Sequence, residues 1–577
     1  MLLLHSALAL SVWTGAAVTP AVAARDTLAY RFSISRSGDT PPALEIELTL
    51  RGNASGSTRF TAPFRWAGQD SLNKSILNLA VDRPARVVSD SAGIVTVSHP
   101  PRASVRLRYR VQQDWSGPLR LPLYFRAVVD SSRVIFNGGN GLIFPEWAAA
   151  TPVVVRVTWT GVPADWSILT SYGGARSVSR TTIANLGQAA FVAGRFRIPN
   201  PRRKGFRIAI QDQWNFPDSA FITLLDRVWE IERKFWGDQG TGSGFVTLSR
   251  IASRGTQGGT AFTGGFVAFA DSASSLTAIG RIAAHELMHL WNGQGMKAAR
   301  PEERYKWFTE GVTDYYADRF FHEAGAYSDS AWLERVNTTV RRYYLSPARG
   351  ATRREIETDY YANPDRRTFP YLQGYLLALY LKGELATASG GRYEFDRLMR
   401  DLYRASRRSG ADLTDSLVLG VLPRDLRPLV RSAIGRYIDQ GEMIPLVAGA
   451  IGNCIVVRDT TVVPFVLGFD AAKSTQDRVV RGLVPGGPAA NAGAEEGMAL
   501  AGWGWFNDDA SKPATLRIKD STGTRTLTFL PRGSQPVQVP QFGAGECTGA
   551  LPRTPGAVII PQQRATAAIP TPSSARH

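Results

Sequence analysis

The chain has 577 residues, a formal net charge of +18 and only two cysteines. Its length allows about two to four domains. Nine of its 67 basic residues are lysines, and the arginines are dispersed along the chain. That pattern argues against a nucleic-acid-binding protein, which would cluster them on one helix or tract. Weak attraction to anionic envelope surfaces suits the charge better.

In chain order, residues 1–24 read as a secretory signal. Leu2–Leu4 and Ala7–Val12 are apolar, and Ala21-Val22-Ala23-Ala24 offers a small-residue cleavage site. The n-region is weakly basic, so a retained N-terminal membrane anchor is the alternative. No later apolar run approaches the roughly 20 residues of a transmembrane helix. The mature protein is expected to be exported, periplasmic or secreted, with no transmembrane span.

From 25 to 203 the pattern is β. Leu44, Ile46, Leu48 and Leu50 alternate with polar residues, as do Val105, Leu107, Tyr109 and Val111. A period of two marks half-buried strands. From 204 to 444 it is mainly helical, with helices expected over Ala220–Phe235, Ser275–Asn292, Lys306–Phe321, Ser328–Tyr344, Leu372–Ala386 and Phe395–Arg404. Short strands are expected at Gly244–Ser249 and Gly264–Ala270. From 445 to 548 strands return. The Pro-, Ala- and Thr-rich tail 549–577 is expected to be disordered. The fold class is multidomain α+β: a β-sandwich-like N-terminal domain, a mainly helical domain and a C-terminal β domain. Cys454 and Cys547 bracket the last folded region and can pair in an oxidising compartment.

Chemistry concentrates in His285-Glu286-Leu287-Met288-His289. Residues four apart share a helix face, so both imidazoles can address one metal ion. A catalytic zinc takes three protein ligands and keeps one position open. Glu286, between the histidines, suits a general base. Glu310 is the natural third ligand, against a reading as a solvated helix charge. Asp314, one turn on, can accept the free ring N–H of a ligand histidine, or is simply an exposed acid. One zinc ion per chain is expected.

These residues resemble the glycyl aminopeptidase family of zinc metallopeptidases, gluzincins with an N-terminal β domain, a thermolysin-like catalytic domain and a C-terminal PDZ domain. The resemblance runs through His285–Asn292, Met296–Pro301 and Trp307–Tyr316. It implies a peptidase acting on peptide or protein substrates. Pro370-Tyr371-Leu372-Gln373-Gly374 resembles a Tyr-Tyr-x-Lys-Gly element. Tyr371 would then donate to the oxyanion, with Tyr375 and Tyr361 as alternatives. The family's Gly-Gly-x-Glu-His strand, whose glutamate grips a substrate amine, corresponds to Gly258-Gly259-Thr260-Ala261-Phe262. Ala261 cannot pair with an ammonium. An endopeptidase or processing protease is therefore the first alternative to an aminopeptidase, unless another acid such as Asp271 fills the space. Val466-Leu467-Gly468-Phe469 resembles the carboxylate loop of a PDZ domain, with Leu467, Gly468 and Phe469 offering N–H groups to a C-terminal peptide. A non-catalytic PDZ peptide-binding protein is the second alternative.

Overall fold

The computed structural model describes residues 27–35, 42–120, 123–199, 206–238, 244–252, 257–452, 454–505, 509–521 and 523–545. The signal segment expected over 1–24, the tail 549–577 and Cys547 lie outside them. The chain divides into two compact units. One comprises Met1–Asp212, Gly242–Arg254 and Phe262–Gly265; the other comprises Gln213–Thr241, Gly255–Ala261 and Phe266–His577.

The first unit is built on strand alternation. Strand β1 (Thr27–Ser35) lies between β2 (Ala43–Arg51), which runs antiparallel to it, and the parallel Pro152–Thr160. Strand β3 (Ser104–Val111) pairs antiparallel with β2. The register sets Leu48 opposite Leu107 and Ile46 opposite Tyr109, all buried. On the other face, Glu45 meets Arg110 at 2.7 Å and Glu47 meets Arg106 at 3.7 Å. A one-residue slip would turn every apolar side chain outward and break those pairs. With Arg176–Thr182 and Ile76–Val81 at its edges, this sheet has six strands. Two four-stranded sheets share its core, through Phe60 and Val95 from one and Phe136 and Phe191 from the other.

The second unit is mainly helical. Helix α1 (Asp218–Trp236) ends at Gly237, which takes the left-handed conformation at φ 65°. Strands β4 (Gln257–Phe262) and β5 (Gly265–Ala270) are sheet neighbours. Helix α2 (Leu276–Met288) starts at Ser275, whose hydroxyl accepts from the Ala278 N–H. It stops short of the expected Asn292, yet His289 keeps right-handed helical dihedrals. Helix α3 (Thr313–Glu323), α4 (Asp329–Tyr344), α5 (Pro364–Ser389) and α6 (Phe395–Ser409) follow.

Two further helices near the site differ from expectation. The single helix expected over Lys306–Phe321 is a π-helical turn, Trp307–Val312, leading into α3. Helix α5 begins eight residues before the expected Leu372 and runs through Pro370. Asn363 caps it and Pro364 occupies the first turn, where a missing N–H costs nothing. The turn and α5 touch backbone to backbone. A Cβ on Gly374 would lie 1.7 Å from the Trp307 carbonyl oxygen, and one on Gly311 would lie 2.5 Å from that of Pro370. Only glycine at both positions permits this contact, which packs the π turn on α5.

C-terminal strands complete the unit. Ile455–Val462 pairs antiparallel with Val537–Ala544, while Ala499–Gly504, Ala514–Asp520 and Gly523–Phe529 form a three-stranded sheet. Val539 and Phe542 enter the helical core. There Asn337 of α4 donates to the Phe542 carbonyl and accepts from its N–H, both at 2.8 Å. Asn337→Ala should therefore destabilise this unit by about 1–3 kcal/mol for each backbone group it strands. An unchanged denaturation midpoint would show that the amide bridge contributes nothing.

Candidate metal centre

Helix α2 places His285 and His289 one turn apart, and the π turn brings Glu310 to face them. The two Nε2 atoms are 3.0 Å apart. Glu310 Oε2 lies 3.5 Å from that of His285 and 3.4 Å from that of His289. Ligand atoms around a tetrahedral ion bonded at about 2.0–2.1 Å sit roughly 3.3 Å apart. Two imidazole nitrogens and one carboxylate oxygen thus have both the chemistry and the spacing of a catalytic zinc site. No other group of three His, Cys, Asp or Glu among the described residues meets this condition.

The opposite ring nitrogens set this aim. His285 Nδ1 is 2.8 Å from Asp314 Oδ1, and His289 Nδ1 is 2.9 Å from the Asn292 carbonyl. Such acceptors hold a proton on Nδ1 and leave Nε2 free to ligate. Asp314 has its own anchor. Arg281 donates to Asp314 and to Asp318 at 2.7 Å each, and Arg335 reaches Asp318 at 2.9 Å. Burial alone would raise the Asp314 carboxyl, but the charges of Arg281 and His285 outweigh it and hold it well below the usual carboxylate range. Burial also opposes a charge on His285; Asp314, Glu310 and Glu286 overcome this and push its pKa up to about 10. Anions this strong at one point favour a cation there.

Glu286 behaves differently. Burial raises its pKa, against the lowering influence of both histidines and of a hydrogen bond from the Ala261 N–H. Strand β4 lies directly on it: a Cβ on Gly259 would sit 3.0 Å from Glu286 Cγ. The structure thus brings Gly259 and Ala261 to the metal cluster, with Gly258 half-buried on the same strand. Ala261 presents its backbone, and its side chain has no charge to offer an amine. Asp271, beyond β5, takes a hydrogen bond from Ser272 at 3.5 Å.

Tyr371 stacks on His285 with ring centroids 6.2 Å apart. Its hydroxyl shares a hydrogen bond with Tyr360. Of the alternatives, Tyr375 is buried in the core against Tyr315, and Tyr361 is 56% exposed. At the C-terminal region, Leu467 and Phe469 are buried in the core of the three-stranded sheet. The Leu467 and Gly468 carbonyls accept from Ala489 and Val484. Asp470 then caps a helix, Ala471–Asp477, so no strand follows the loop directly. Cys454 is disulfide-bonded; Cys547, expected to pair with it, lies outside the described residues.

Sequence reasoning missed Lys306, whose ammonium is 2.9 Å from Glu310 Oε1, and the Arg281–Asp318–Arg335 chain. Spacing gave a signal for both. Lys306 precedes Glu310 by four residues, as Arg281 precedes His285 and Asp314 precedes Asp318.

Residues 279–385 match the family model described as M61 glycyl aminopeptidase. An aminopeptidase N family protein from Idiomarina loihiensis is 16% identical, with a TM-score of 0.65 over 90% of this chain and 98% of that one. An M1 zinc metallopeptidase from Deinococcus radiodurans is also 16% identical, with a TM-score of 0.47 over 73% of this chain and 94% of that one. No curated protein matches the sequence. The family match and the donor set define the helical domain as that of a zinc metallopeptidase. Within that class, the segment 279–385 is similar to the M61 glycyl aminopeptidases.

His285→Ala leaves two protein ligands and should lose stoichiometric zinc together with peptidase activity. Elemental analysis of the purified variant tests this; a full equivalent of zinc would remove His285 from the ligand set.

Proposed function

We propose that the protein is an exported peptidase holding one zinc ion through His285, His289 and Glu310, with Glu286 as its general base. The carrying observation is the convergence of three ligand atoms within 4.8 Å of one another beside a buried carboxylate. Zinc, when bound, would polarise the peptide carbonyl and acidify the attacking water. Glu286 takes the water proton and delivers it to the leaving amine, a double role served by a carboxyl whose pKa burial has raised. Tyr371, stacked on His285, would donate its phenol to the developing oxyanion. Asp314 fixes the His285 ring. Strand β4, through Gly258, Gly259 and Ala261, lines up an extended substrate by backbone hydrogen bonds.

The disulfide at Cys454 supports an oxidising location. No helix among the described residues is long and apolar enough to cross a membrane. The proposed plan is a signal over 1–24, a β domain over 25–203, a catalytic domain over 204–444, a PDZ-like domain over 445–548 and a tail over 549–577. The PDZ-like assignment leans on Gly468, at φ 83° and packed on Pro488. A C-terminal peptide partner for Leu467–Phe469 rests on that assignment.

A digest of a peptide library with and without chelator, with the products sequenced, tests the central reading. Chelator-insensitive cleavage, or none in zinc-loaded protein, would sink it. Glu286→Gln should retain zinc and lose kcat by several orders of magnitude. Tyr371→Phe should lower kcat about 10²–10³-fold, as loss of one oxyanion donor does elsewhere. Near-normal kcat in either zinc-loaded variant removes that residue from its role.

Ala261 favours a second reading, cleavage that ignores the substrate's free N-terminus. N-acetylated and unblocked forms of one peptide should then be cleaved at similar kcat/KM. Ala261→Glu would add a charge-assisted contact, about twice as strong as a neutral hydrogen bond, and should favour the unblocked form. Strong wild-type preference for unblocked peptides would instead point to another anion and to an aminopeptidase.

A further inference from the structure

Lys306 lies outside every motif that identifies the site, yet it touches the third ligand. Its Nζ is 2.9 Å from Glu310 Oε1. The two oxygens of Glu310 therefore do different things. Oε2 faces both histidine Nε2 atoms, and Oε1 faces the ammonium.

A lysine and a glutamate four residues apart are commonly an ordinary helix pair, worth about 0.2–0.5 kcal/mol. Three observations separate this one. Both side chains are largely buried, at 19% and 11% exposure, where stripping water from an ammonium is costly. The lysine precedes the glutamate, the less favourable order on a helix. The intervening turn is π-helical, so α-helical spacing does not by itself align the pair. The ammonium also lies 5.9 Å from the centre of the Tyr360 ring. Tyr360 holds the hydroxyl of Tyr371, which stacks on His285. Lys306 thus borders the site through two separate contacts.

We propose that Lys306 is a positioning residue that keeps Glu310 a one-oxygen ligand, by occupying Oε1 and leaving only Oε2 to face the metal. A carboxylate can bind zinc through one oxygen or both. Binding through both would add a fifth donor beside the bound water and crowd the position that a catalytic site keeps open for substrate. A charge-assisted hydrogen bond to the second oxygen opposes that swing. The proposal shares with the peptidase reading only the assignment of Glu310 as a ligand.

Cobalt(II) replaces zinc in such sites, and its visible absorption is intense when four-coordinate and weak when five- or six-coordinate. Cobalt should be titrated into wild type, Lys306→Met and Lys306→Arg, with circular dichroism as the check on folding. Wild type should give the intense spectrum. Lys306→Met should take up cobalt with a weak spectrum, and its metal affinity should fall by about 10- to 100-fold, the usual effect of losing a ligand's hydrogen-bond partner. Lys306→Arg should restore the intensity. If Lys306→Met does not fold, Lys306→Gln, which retains a neutral donor, should give intermediate intensity. Wild-type intensity and affinity in the neutral variant would overturn the proposal alone. A weak wild-type spectrum would overturn it too. A wild-type protein that takes up no cobalt would overturn the ligand assignment and the proposal together.

Discussion

Each candidate ligand histidine has one ring nitrogen tied to the protein, and the site depends on that constraint. His285 Nδ1 is held by Asp314 and His289 Nδ1 by the Asn292 carbonyl, so both Nε2 atoms turn to one point. An imidazole on a helix can otherwise rotate away. Asp314 can hold His285 only if it stays ionised while buried. The ion pair with Arg281 makes that possible, and Asp318 and Arg335 carry the chain of alternating charges on to α4. Buried charges are tolerable when each has an opposite partner. Here the partners come from three helices, so the electrostatics of the site and the packing of the helices are one problem.

The third candidate ligand depends on a close backbone contact. Glu310 sits in a π-helical turn, a form seen mostly as single turns and often at functional sites. Gly311 and Gly374 let this turn lie against α5 with no side chain between them. The same helix carries Tyr371 to His285. One glycine pair therefore fixes the approach of both a candidate ligand and a candidate oxyanion donor. A larger residue at either position would push the two elements apart.

Beside the candidate ligands, Glu286 is covered by strand β4. Gly259 leaves room for the carboxylate, and the Ala261 N–H binds it. Ala261 therefore matters through its backbone, which any residue could supply. The missing side chain separates two kinds of peptidase: a buried ammonium needs an anion beside it, whereas an internal peptide segment needs only strand hydrogen bonds.

Much of this was legible in the sequence, because local periodicity carries it. Alternation at Leu44–Leu50 and Val105–Val111 fixes which faces are buried, since a strand has only two. Helical spacing placed His285 and His289 on one face with Glu286 beside them, and the segment Trp307–Tyr316 bearing Glu310 and Asp314 had its own pattern. Tertiary structure decided what periodicity does not encode. A π turn needs a neighbour to stabilise it, and its neighbour, α5, lies some sixty residues away. The extension of α5 through Pro370 comes from its cap at Asn363, outside the apolar pattern. Lys306 and Arg281 had spacing signals, but surface helices carry such pairs routinely. Only burial shows that these two charges are held against a metal-ligand set, where the cost of desolvation gives each contact its weight.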